Sequence, residues 1–238
     1  MDTLKFEKLK TKVIAHRGLS GIECENTISA FVAAANRSYF GIEADVHETK
    51  DKKFVIFHDN STKRLAKRDL EIKNTRLKKL KKLSLSNASG EKRSDLKVCT
   101  LDEYISVCKK YNKKAIIELK NRMSEKTISK IVKVFKKCDY LDNTVFISFS
   151  MDNLIDLRKL LPKQPIQFLT SKITDEILDQ LVKYNFDLDI HYKCLNKEVI
   201  DKIHSKGILI NCWTCDDLKI AEELALWGVD FITTNILE

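Results

Sequence analysis

Glu43-Ala44-Asp45 and Glu118-Leu119-Lys120 are the stretches of this chain best suited to chemistry. In each, two charged residues stand two positions apart within an apolar run, and in a β-strand that spacing turns both side chains to one face. Burying like charges together is costly unless a cation compensates. Neighbouring barrel strands lie about 5 Å apart, so Glu43, Asp45 and Glu118 can share one ion. Three carboxylates suit one hard divalent metal ion, Mg2+ or Ca2+, completed by water and substrate oxygens. Two histidines also end apolar runs, His16 after Val13-Ile14-Ala15 and His58 after Phe54-Val55-Ile56-Phe57. Imidazole titrates near neutral pH, so a pair flanking a metal-bound anion can serve as general base and general acid. Arg17 and Lys120 supply positive charge for a phosphate oxygen that gains charge in a transition state. Taken singly, each residue is more commonly a satisfied core histidine or a structural ion pair. Gathered at strand ends on one face, the seven describe metal-assisted cleavage of a phosphodiester.

Apolar, β-rich runs at 13–15, 42–46, 115–119, 145–149, 166–169, 187–190, 208–213 and 230–233 are the strands that must position them. Helical patterns at 27–37, 101–111, 125–137, 151–160, 175–184, 197–205 and 217–226 alternate with these strands. Ser150 and Thr174 stand where N-caps belong, and Gly207 and Gly228 suit helix ends. Eight strands with intervening helices predict an α/β protein, a (β/α)8 TIM barrel, as one domain over residues 1–238. The last helix is expected to be missing or trivial, because the residues stop at Glu238. In this architecture the active site lies at the carboxyl ends of the strands. One element breaks the alternation. After 42–46 a further strand at 54–57 follows the turn-like Lys50-Asp51-Lys52-Lys53, which predicts a hairpin. A small insertion then occupies about 59–98, after the second barrel strand, with Leu77, Leu80 and Leu83 as a helical stripe.

A chain of 238 residues can bury a sizeable core. Its net charge of +9 is concentrated: residues 59–97 hold thirteen Lys or Arg against five acids, and the remainder is nearly neutral. There is no nucleic-acid-binding module and no aromatic-interleaved basic patch, so nucleic acid is not an expected partner. The basic insertion instead offers weak contact with an anionic membrane surface, or simple solvation. Seven cysteines, an odd number, do not form a disulfide framework and fit a reducing compartment. Cys212-Trp213-Thr214-Cys215 has redox spacing but continues an apolar strand run, which favours core packing. No stretch is long and apolar enough for a signal or a membrane span, so the expected location is the cytoplasm. The oligomeric state is left open.

His16-Arg17-Gly18, Glu25-Asn26-Thr27, Glu43-Ala44-Asp45-Val46, Thr49-Lys50-Asp51, Phe57-His58-Asp59, Glu118-Leu119-Lys120 and Trp213-Thr214 occur in an order that resembles the glycerophosphodiester phosphodiesterase family, from His16 to about Thr233. The resemblance implies a metal-dependent hydrolase with a small-molecule glycerophosphodiester substrate. It further implies Glu43, Asp45 and Glu118 as metal ligands, His16 and His58 as the acid/base pair, and Arg17 and Lys120 as phosphate holders. Glu25 and Asn26 would support the first loop, and Thr27 would cap the next helix. The family's route is attack by the neighbouring glycerol hydroxyl, a cyclic phosphate, then hydrolysis. Trp213 is expected as a pocket wall, His47 as a surface residue, and His191 as a further candidate for the pocket. Three departures stand out: Lys52 where the family usually has Gly, Cys99 where it has Pro, and Thr233-Thr234-Asn235-Ile236 where it closes with Thr-Asp-x-Pro. Two rival readings remain, a lysophospholipase D or sphingomyelinase D-like activity on lipids, and a noncatalytic binding module. Such a module would lose its histidines or carboxylates first, and this chain keeps all five.

Overall fold

The computed structural model describes residues 2–86 and 93–238, so the part of the insertion at 87–92 lies outside the described residues. In chain order the strands are β1 (Lys12–Ala15), β2 (Gly41–Glu48), β3 (Phe54–Ile56), β4 (Cys99–Thr100), β5 (Lys114–Leu119), β6 (Thr144–Ser148), β7 (Ile166–Thr170), β8 (Asp187–His191), β9 (Ile210–Trp213) and β10 (Phe231–Thr234). The helices are α1 (Ile28–Ala35), α2 (Leu77–Leu80), α3 (Leu101–Lys110), α4 (Glu125–Lys137), α5 (Met151–Leu160), α6 (Asp175–Tyr184), α7 (Lys197–His204) and α8 (Leu218–Trp227). Strands β1, β2, β5, β6, β7, β8, β9 and β10 pair in parallel in that order, and β10 pairs back onto β1. The sheet is therefore closed, a (β/α)8 barrel, and all eight expected barrel strands are present.

The strands are apolar on both faces because both are covered. Ile14, Ile116, Ile147 and Leu169 fill the barrel interior. Outward-facing strand residues such as Phe146 pack with helix residues such as Phe135, whose ring meets Phe146 edge to face at 5.4 Å. Ser150 and Thr174 cap α5 and α6 by accepting from the backbone N–H three residues on, as their positions in the sequence predict. Gly228 takes φ +92° at the end of α8, the left-handed cap that an L side chain resists. No helix follows β10 among the described residues. None of the described helices is long and apolar enough to cross a membrane.

The hairpin forms, with β3 antiparallel to β2 in the register Val46 to Ile56 and Glu48 to Phe54. It is shorter than expected. Strand β3 ends at Ile56, so His58 lies in the following loop and not at a strand terminus. Lys52, in the hairpin turn, adopts φ +59° and pairs with Glu48 at 3.0 Å. The insertion has an apolar cluster of its own, in which Leu65, Ile72, Leu80, Leu83, Leu85, Leu96 and Val98 close over Val55 and Phe57. Only Leu77 and Leu80 of the predicted stripe are helical; Leu80 and Leu83 are buried, and the half-buried Leu77 packs against them. Cys24, from the loop after β1, joins this cluster and so ties the insertion to that loop. Cys212 and Cys215 are free and buried, and burial raises both thiols, Cys215 to about 11, which leaves little reactive thiolate.

Candidate active site

The loop after β1 is bent sharply. Arg17 has φ +54° and Gly18 φ +77°, and a Cβ on Gly18 would sit 2.7 Å from the backbone of Ala30 in α1. The bend turns the Arg17 N–H onto Glu43 Oε2 at 2.8 Å. A non-glycine residue in this region costs about 1–2 kcal/mol, and the carboxylate contact is what it obtains. Farther along the loop, Asn26, also at positive φ, donates through Nδ2 to Asp45 Oδ2 at 2.8 Å. Thr27 then caps α1 by accepting from the Ala30 N–H.

On β2, Glu43 and Asp45 face inward, and the register sets Asp45 beside Glu118 of β5. Ligand atoms of all three lie within 4.8 Å of one another, and the three side chains are buried. Lys120 bonds Glu118 Oε1 at 2.9 Å and stands 3.4 Å from Asp45 Oδ1, while Arg17 Nε lies 3.6 Å from Asp45 Oδ2. Burial and repulsion from Asp45 push Glu118 up to about 7 and raise Glu43 as well. Burial acts on Asp45 too, but Lys120 and Arg17 outweigh it and bring that carboxyl down to about 2. Fully ionised, the three carboxylates would carry more negative charge than the two cations balance, which is why Glu43 and Glu118 hold their protons so firmly. Among the described residues it is the one group of acid, histidine or cysteine side chains close enough to share an ion.

Both imidazoles are fixed through Nδ1. His16 Nδ1 lies 2.8 Å from Asn235 Oδ1, and Asn235 Nδ2 donates to Asp216 Oδ2 at 2.6 Å. Ser20 Oγ also donates to Asn235 Oδ1. That oxygen is therefore an acceptor, so His16 carries its proton on Nδ1 and leaves Nε2 bare. Burial and the nearby Arg17 pull His16 down to about 4. His58 Nδ1 lies 2.7 Å from Asp59 Oδ1, and burial lowers this ring too, against the pull of Asp45 and Asp59. Glu25 is half-enclosed and accepts from Arg17 at 2.9 Å.

A cavity of about 150 Å³ opens here, bordered by His16, Arg17, Glu43, His58 and Glu118 at one end and by Phe149, Asp189 and Trp213 at the other. Two of its lining residues carry buried polar atoms without a partner, Arg17 Nε and Asp189 Oδ1, and Asn26, bonded to Asp45, has an unpartnered Oδ1. Trp213 meets Phe149 edge to face at 5.5 Å. His191 packs behind Trp213 at 5.2 Å, so it backs the wall and does not form it. His47 departs from the surface position expected of it; it is buried, with Nε2 3.2 Å from the His58 carbonyl. Asp59 and Asn235 stand in Phe57-His58-Asp59 and Thr233-Thr234-Asn235-Ile236 without a role of their own in the sequence reading, which did not point to Arg64, Asp189, Asp216 or Phe149. Asp59, adjacent to His58, and Asn235, in the closing stretch, carried a local signal; the other four did not.

Fold and site define a TIM barrel whose mouth gathers buried carboxylates, two cations and two pinned imidazoles. The model of the Glycerophosphoryl diester phosphodiesterase family matches residues 16–238. A glycerophosphodiester phosphodiesterase of Bacillus subtilis is 31% identical over 244 residues, covering 93% of this chain and 82% of its own. The structure of an Oleispira antarctica phosphodiesterase in complex with the product sn-glycerol-3-phosphate is similar with TM-score 0.88 and 28% identity, covering 97% of this chain and 95% of that one. A glycerophosphodiester phosphodiesterase structure from Parabacteroides distasonis is similar at TM-score 0.81 and 33% identity, covering 95% and 93%. The chain belongs to the glycerophosphoryl diester phosphodiesterase family, and it is an enzyme of the phosphoric diester hydrolase class.

Proposed function

We propose that this chain hydrolyses glycerophosphodiesters, such as deacylated phospholipids, to glycerol phosphate and an alcohol, in the cytoplasm and with residues 1–238 acting as one catalytic domain. The observation that carries this reading is the meeting of three buried carboxylates within 4.8 Å of one another, two of which, Glu43 and Glu118, border the same cavity as His16 and His58. The donor set fits a divalent cation: all oxygen ligands, too crowded to be ionised together, beside an unpartnered Asn26 oxygen. Glu43, Asp45 and Glu118 would hold it. When bound, Mg2+ or Ca2+ supplies Lewis acidity toward a phosphate oxygen.

The chain's own groups account for the rest. Arg17, whose Nε lacks a hydrogen-bond acceptor, and Lys120 bind the phosphate oxygens. His16, neutral and with Nε2 bare, accepts the proton of the glycerol hydroxyl as that oxygen bonds to phosphorus. His58, whose charged form Asp59 supports, gives a proton to the alcohol oxygen as its bond to phosphorus breaks. A cyclic phosphate and a free alcohol result. His58 then takes a proton from water as it attacks phosphorus, and His16 returns its proton to the ring oxygen that leaves. Trp213 and Phe149 pack against the head group.

The test is glycerol phosphate release from glycerophosphocholine by the purified chain. Release is expected to stop with EDTA and to return with Mg2+ or Ca2+. No turnover across a panel of glycerophosphodiesters with different head groups overturns the reading. A second reading, lysophospholipase D or sphingomyelinase D-like action on lipids, draws on the half-exposed Phe149 at the cavity and on the basic groove of the insertion.

A further inference from the structure

Arg64 lies on the insertion and has no role among the site residues, yet it touches the partners of two of them. Its Nη1 and Nη2 donate to Glu25 Oε2 and Oε1, each at 2.7 Å, and its Nε donates to Asp59 Oδ2 at 2.8 Å. Glu25 in turn accepts from Arg17 at 2.9 Å, and Asp59 lies 2.7 Å from His58 Nδ1. One planar guanidinium therefore joins two carboxylates, and each carboxylate fixes a different group at the cavity. The backbone on both sides is anchored in one apolar cluster, since Cys24 precedes Glu25 and Leu65 follows Arg64, and both belong to the insertion's core.

We propose that Arg64 is a positioning residue that sets Arg17 and His58 relative to each other by clamping Glu25 and Asp59. Stability alone does not explain the arrangement. The Arg64 side chain is 45% exposed, and an exposed ion pair adds about 0–1 kcal/mol. Geometry explains it better. Three donors in a fixed fork hold two acceptors at set directions, which a single ammonium cannot do. Without the fork the Glu25 carboxylate is free to rotate and Arg17 loses a fixed acceptor, while Asp59 no longer holds the His58 ring in one orientation. Displacement of a reacting group by about 1 Å can cost about 100-fold in rate.

The inference rests on the proposed phosphodiester hydrolysis, and steady-state kinetics on glycerophosphocholine test it. Arg64→Gln is expected to lower kcat about 10- to 100-fold through His58 and to raise KM through Arg17, with a shift in Tm of less than about 4 °C. Arg64→Lys, which keeps the charge and the aliphatic stem, should recover stability but not the full rate. Added guanidinium at millimolar concentration should restore part of the activity of Arg64→Ala. The double variant Arg64→Gln/Asp59→Asn should be scarcely slower than the slower single one, because both remove the same clamp. Full kcat/KM in Arg64→Gln, or losses that multiply independently in the double variant, overturn the clamp. A wild-type chain inert toward every diester overturns the functional reading, and this inference with it; an active wild type with unaffected variants overturns only this inference.

Discussion

His16 and His58 are held at the same ring nitrogen by unlike partners, a neutral amide and a carboxylate. An amide oxygen fixes a tautomer without adding charge, whereas a carboxylate also favours the protonated ring. This contrast underlies the proposed division of labour, with His16 receiving the first proton. Replacing Asn235 by leucine keeps the volume and removes the acceptor, so the His16 ring loses both its orientation and its single tautomer. The expected result is a fall in kcat of about 10- to 100-fold, with nitrogen NMR showing mixed tautomers in place of Nδ1–H alone. An unchanged kcat with an unchanged ring spectrum would remove Asn235 from the account. Asp216, exposed to water, needs no new partner in this variant. The carboxylates and histidines could be read from the chain because local spacing sets which face they share. Asn235 could not be read as the partner of His16, since 219 positions separate them and only closure of the barrel brings them together.

At the scale of the element, the barrel strands were legible because burial on both faces leaves unbroken apolar runs, and the helices because their caps are written locally. The insertion was less legible. Its core is assembled from residues between Leu65 and Val98 with Cys24 added from another loop, a set that shares no single period. Its charge was plain, but the pairing of that charge was not. Lys81 is occupied by Glu103 at 2.8 Å, whereas Lys78, Lys79 and Lys82 line an open groove of about 440 Å³ with Lys50 and Arg76. Each basic residue near an anionic leaflet contributes about 1 kcal/mol, attenuated by salt. Co-sedimentation with phosphatidylserine vesicles at low salt is therefore expected, and it should be lost when Lys78, Lys79 and Lys82 are changed to glutamine and when salt is raised to about 0.5 M. Binding that survives the triple substitution, or that never occurs, would leave these lysines as a solvated face. Neutralising Lys81 as well would confound the test by breaking its ion pair with α3.

For the whole molecule, the acidic cluster ties stability to pH and, with the proposed metal ligation, to a divalent ion as well. Glu118, pushed up to about 7 from an ordinary 4.5, and Glu43, also raised, bind protons more tightly folded than unfolded. The contribution of Glu118 is fully present below 4.5 and is lost as pH rises through about 7, and that of Glu43 is likewise present at low pH and lost as pH rises. Asp45 and His16 run the other way. Their depressed values, about 2 and about 4, give stability that is present above the ordinary 3.8 and 6.5 and lost as pH falls through the lower ones. A divalent ion competes with the protons on Glu43 and Glu118, so metal should bind more tightly, and stabilise more, at pH 8 than at pH 5.5. At a hundred times Kd an ion adds about 2.7 kcal/mol, which for a domain of this size raises Tm by about 5–10 °C. Scanning calorimetry of EDTA-treated protein, with and without Mg2+ or Ca2+ at the two pH values, reads this directly. The increment should be large at pH 8 and shrink at pH 5.5, and Glu118→Gln should abolish most of it at both. An increment independent of pH would mean that the ion binds somewhere other than these three carboxylates.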